Sequence, residues 1–124
     1  MTELLHSGGE TILACDPKGP AIDTPQRAVD LIGEAMFAGA SVIALPASRL
    51  GAAFFRLRTG LAGEIAQKAV NYRLKLAVIG DISEHLAASN ALRDWVREAN
   101  RGREIWFEPN LDSLAARLDG RAGG

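Results

Sequence analysis

Three short apolar runs, almost free of polar alternation, govern what this chain can become: residues 41–45 (SVIAL), 74–79 (LKLAVI) and 104–108 (EIWFE). Strands of this kind are covered on both faces, which calls for a mostly parallel sheet with helices packed on it. The stretches between them have helical spacing. Thr24-Pro25 supplies a capping hydroxyl and a proline at the first helical position. Val29, Ile32 and Met36 follow at intervals of three and four, and Gly39 marks a stop. Leu61 to Tyr72 places Leu61, Ile65, Ala69 and Tyr72 on one face and Glu64, Gln67, Lys68 and Asn71 on the other. Asn90 to Asn100 turns Leu92, Trp95, Val96 and Ala99 inward. Asn110 caps a last helix with Leu111, Leu114, Ala115 and Leu118 inside, ended by Gly120. Before all of these, ELLH and TILAC are joined by Ser7-Gly8-Gly9 and read as an antiparallel hairpin.

The order is therefore β-β-α-β-α-β-α-β-α, an α/β domain spanning residues 1–120 with a flexible tail at 121–124. A chain of 124 residues with 48% hydrophobic content is one domain with a proper core.

Charge narrows the choice of partners. Fourteen basic and fifteen acidic residues give a net charge of −1, which provides no drive toward nucleic acid or an acidic membrane surface. Aromatic residues make up 6% of the chain, too few for a base-stacking platform. No apolar run approaches the length of a bilayer span. The first ten residues, MTELLHSGGE, lack a basic segment followed by an apolar one, which argues against secretion. A single cysteine, Cys15, fits the cytoplasm and makes no disulfide within the chain.

The densest cluster of chemically useful residues lies at 46–63. Arg49, Arg56 and Arg58 approach Thr59-Gly60, where a helix begins and backbone N–H groups lie free for an anion or phosphate. Thr59 is either a helix cap or a phosphorylatable hydroxyl. The arginines either clamp an anion bidentately or pair with structural acids such as Glu64, Asp81 or Glu98. Asp81 follows a buried strand at the carboxyl edge of the sheet, where open α/β sheets bind ligands; it equally suits the turn 80–83. The turn 98–102 should lie at the opposite edge. His6 and His85 lie far apart in sequence, and no metal-ligand spacing or glycine-rich nucleotide loop occurs, so no metal or cofactor is expected. Phe54-Phe55 and Trp106-Phe107 are core pairs, or present one ring each to a second subunit and favour a homodimer.

The stretches FFRLRTGLAGEIAQKAVNYR, LAVIGD and REANRGREIWFEP resemble an uncharacterised bacterial family, the domain of unknown function 4180, over most of the chain from about Asp30 onward. That resemblance implies no activity. More distantly, the element order resembles the STAS fold of anti-sigma factor antagonists and sulfate-transporter tails. Their Asp-Ser-Ser-Gly-Leu-Gly turn corresponds in position to 57–63, with Thr59 matching the phosphoacceptor hydroxyl and Gly60-Leu61 the Gly-Leu pair. Leu57 and Arg58 replace its acid and first serine. The resemblance implies a regulatory module that binds a protein partner or a small anionic ligand, with Thr59 as a phosphoacceptor. The alternatives are an enzyme using Asp81 with an arginine, or an accessory protein acting through self-association.

Overall fold

In the computed structural model, residues 2–123 are described, with side chains through residue 120. Five strands form one sheet: β1 (Glu3–Ser7), β2 (Glu10–Ala14), β3 (Val42–Pro46), β4 (Lys75–Ile79) and β5 (Ile105–Glu108). Their spatial order is that of the sequence, β1-β2-β3-β4-β5. β1 pairs antiparallel with β2, and all later pairs are parallel. The expected mixed α/β sheet is what the chain forms.

The long helices start where the capping signals stand. α1 (Pro25–Phe37) begins with Thr24 Oγ1 accepting from the Arg27 N–H at 3.2 Å. α3 spans Leu61–Asn71. α5 (Asn90–Arg101) is capped by Ser89, whose Oγ accepts from Leu92 N–H at 3.1 Å. α6 (Leu111–Gly123) starts beneath Asn110, whose Oδ1 accepts from Ser113 N–H at 2.8 Å. It runs past Gly120, where the sequence suggested a stop. Shorter pieces join these: a 3₁₀ turn at Ala47–Arg49, α2 (Ala52–Phe55), a second 3₁₀ turn at Leu57–Thr59, and α4 (Ser83–Ala88).

Three expected apolar faces shift slightly, and on α6 Leu111 is exposed rather than inside. On α1 the buried residues are Ala28, Leu31, Ile32 and Ala35, and Met36 is exposed. Tyr72 lies just beyond α3, with its side chain largely exposed.

The topology decides how the sheet is covered. Right-handed crossovers that step in one direction place every crossing helix on the same face. Accordingly α1, α3 and α5 share one hydrophobic cluster with Leu13, Ile43, Leu76 and Phe107. The opposite face is built from Ile12, Val42, Ala44, Ala77 and Trp106. Among the described residues, its cover comes from α6 through Leu114 and Leu118. A single helix cannot blanket five strands. Register aligns Ala14 with Ala44, Ala44 with Ala77, and Ala77 with Trp106. Three methyl groups beside a fully buried indole leave a shallow trough on this face.

The aromatic pairs are interior. Phe54, Phe55, Trp106 and Phe107 are all buried, so none offers a ring to a second subunit. Trp106 Nε1 donates to Gly102 O at 2.9 Å. Arg117 of α6 pairs with Glu108, donates from Nη1 to Asn100 O at 2.9 Å, and lies over the Trp106 ring. These contacts fasten α6 to β5 and to the end of α5.

Candidate functional site

The carboxyl ends of β2, β3 and β4 open into a cavity of about 570 Å³. Its floor is the trough: Ala14, Ala44, Pro46 and Ile79. Its walls come from three directions. Ala47, Ser48 and Leu50 follow β3, Gly80, Asp81 and His85 follow β4, and Leu111 opens α6. The cavity exists because the floor residues are small and α6 only begins at its rim. Cys15 and Pro17 complete the lining.

Few polar groups face this space. Asp81 lies just past β4, and its Oδ1 accepts the Ser83 N–H at 2.9 Å, which turns the chain into α4. That backbone bond, then one from the Ser83 hydroxyl, holds the Asp81 carboxyl below its ordinary range against a smaller opposing effect of desolvation. Asp81 therefore does turn duty and also brings one negative charge to the rim. The Cys15 thiol is buried and pushed up to about 11 by desolvation, which the charge of Arg49 only partly offsets. It stays a neutral thiol near pH 7.

A second cavity, of about 600 Å³, lies beside the first. Phe55, Arg56 and Arg58 line it from one side, His85 and Ser89 from the other. His85 thus belongs to both cavities. Its imidazole is stacked on Phe55, centroids 4.0 Å apart and planes 8° from parallel. Asp81 and the two exposed arginines, candidates for a joint site in the sequence, line different cavities.

The third arginine is elsewhere. Arg49 is buried; its Nε donates to Pro20 O at 2.8 Å and its Nη1 to Asp16 O at 3.2 Å. It also lies against Gly19, where an added Cβ would sit 2.6 Å from the guanidinium carbon. Its job is to hold the 16–22 loop over the edge of the sheet, so it is no part of an anion clamp with Arg56 and Arg58. The partners are backbone carbonyls about thirty residues upstream, which no local pattern reveals.

Thr59 and Gly60 end the connection. The Thr59 hydroxyl lies 2.7 Å from Ala53 O and 2.9 Å from Arg56 O, and accepts from Leu61 N–H at 3.3 Å. It ties the second 3₁₀ turn to α2 and to the first turn of α3. Gly60 takes the left-handed conformation at φ 78° and is exposed. Neither residue lines the two cavities described here.

The sequence reading missed His85 and Phe55 as site residues. The signal was present: Asp81-Ile-Ser83 is a helix-opening turn, and His85 falls in the first turn of the helix it opens. Among the described residues no cluster of three or more His, Cys, Asp or Glu side chains could hold a metal ion, and no helix is long and apolar enough to cross a membrane.

The family model for the Domain of unknown function (DUF4180) matches residues 7–118. The chain belongs to that family. The match spans β2 through α6, so both cavities of this DUF4180 chain lie inside the family's domain. No curated protein and no solved structure matches it. These comparisons do not confirm the STAS resemblance of this DUF4180 chain.

Proposed function

We propose that the protein is a binding module that takes a small, mostly apolar molecule into the cavity at the carboxyl edge of its sheet. The 46–63 connection forms one wall of the site. The observation that carries this reading is the cavity itself: about 570 Å³, lined mainly by apolar side chains, with Ser48, Asp81 and His85 as its few polar points. Cavities of roughly 300 to 1,000 Å³ with this balance are the usual seats of small ligands. The edge is also where open α/β sheets place ligands.

Binding is favoured over turnover by what the polar groups already do. Asp81 is engaged by Ser83, Cys15 holds its proton, and Arg49 is committed to the 16–20 loop. An acid–base pair of Asp81 with an arginine would need both at one cavity, and they line two.

Fluorescence titration with the neutral dye anilinonaphthalene tests the reading. Saturable emission at one dye per chain is expected, and it should be lost in Ala47→Phe, which places a ring in the cavity. Circular dichroism melts keep a folded variant distinct from an unfolded one. A folded wild-type chain that gives no saturable signal, or an Ala47→Phe chain that binds as before, would overturn it.

A further inference from the structure

The second cavity differs from the first in charge. Arg56 and Arg58 line it, no carboxylate does, and the ion pairs among the described residues leave both guanidinium groups unengaged. The first cavity carries the opposite sign at its rim, from Asp81. Between them stands His85, half-buried, with one ring face on Phe55. Its ring nitrogens enter no side-chain hydrogen bond among the described residues. An anionic group entering this region is repelled at the Asp81 side and attracted at the arginine side. An uncharged apolar body has the reverse preference, for the trough of Ala44, Pro46 and Ile79.

We propose that the two cavities form one bipartite site for an amphipathic anion. The ligand has a compact apolar body in the first cavity and one carboxylate, sulfonate or phosphate group held by Arg56 and Arg58 past the edge of the His85 ring. This inference rests on the reading of the first cavity as a ligand site, and adds the ligand's class and orientation.

The test compares two dyes that differ by one charged group, anilinonaphthalene and its sulfonate, on the full chain and on the Arg56→Gln/Arg58→Gln double variant. Two exposed cations contribute roughly tenfold in affinity at low salt. The sulfonate should therefore bind the wild-type chain about that much more tightly than the neutral dye, and half-molar salt should erase the difference. In the double variant the sulfonate should bind no more tightly than the neutral dye, which is itself unchanged from wild type. A sulfonate that binds no more tightly than the neutral dye, or that keeps its advantage in the double variant, overturns the bipartite site while leaving the first cavity in place. Absence of neutral-dye binding removes the first cavity as a site and this inference with it.

Discussion

His85 and Phe55 lie face to face, 4.0 Å between ring centroids, and this contact joins α4 to α2 at the partition between the two cavities. Phe55 meets Phe54 edge-on, Phe54 meets Trp95, and Trp95 meets Phe107 on β5. The partition is thus the outer end of a row of rings that runs into the core. Such contacts add about 0.5 to 1.5 kcal/mol each beyond area burial. The His85 ring protons should resonate upfield of ordinary histidine positions, shifted by the Phe55 ring current. In Phe55→Leu they should return to ordinary values, as read by proton–carbon correlation spectra. Unchanged shifts would mean that the rings do not stack in solution.

Arg49 and Gly19 should behave as one unit. Removing a buried cation that donates to two carbonyls costs about 2 to 3 kcal/mol, so Arg49→Ala should lower stability by that amount in urea. Gly19→Ala, which drives a methyl group into the guanidinium, should cost about 1 to 2 kcal/mol. With the guanidinium gone that close contact is relieved. The double variant should therefore be more stable than the sum of the single losses implies, and strict additivity would contradict the packing described.

Cys15 sets a pH limit at the alkaline end. Its folded thiol titrates at about 11 against 9.0 for a free one, so the folded chain keeps a proton that the unfolded chain gives up. The resulting stability is complete below pH 9 and is lost as pH rises through 11, about 2 to 3 kcal/mol in all. Urea melts at pH 8 and pH 10.5 should show the decline in the wild-type chain and a smaller one in Cys15→Ala. At pH 8 the thiolate population is roughly a hundredfold below that of an exposed cysteine. Iodoacetamide should label the native chain correspondingly slowly, and slower still with anilinonaphthalene in the cavity.

Asp81 sets a limit at the acid end. Hydrogen bonds from Ser83 depress its carboxyl below 3.8, so the order it confers on α4 is present above that pH and lost as pH falls through the depressed value. The Ser83 amide resonance should report the loss, with a midpoint below 3.8. Asp81→Asn keeps the acceptor oxygen and should abolish the transition while preserving α4. Asp81→Ala should loosen the first turn of α4 and move His85.

How much of this was legible depended on whether the signal was local. Thr24-Pro25 and Asn110 mark helix starts because a cap and its N–H partner lie three residues apart, and the apolar runs mark strands because burial on both faces leaves no alternation. Residues 47–59 fold as three pieces of three or four residues, too short to show any period. α4, with six residues and no fully buried side chain, is equally silent. The turn expected at the far edge from Asp81 shows a different limit. Asn100 Oδ1 accepts the Phe107 N–H at 2.7 Å, covering the outer edge of β5, and Asn100 lines a further cavity together with Asp81. Strands of four or five residues are only about 15 Å long, so opposite ends of this sheet are within reach of the same side chains.

Strand order that repeats chain order has a consequence for biogenesis. Each new strand docks beside the one made just before it, so the sheet can grow during translation without waiting for distant segments. Until α6 emerges, however, the face holding Ala44 and Trp106 has no lid. Leu111, the last wall of the apolar cavity, arrives in the same step. Closing the core and completing the cavity wall are one event, brought about by α6.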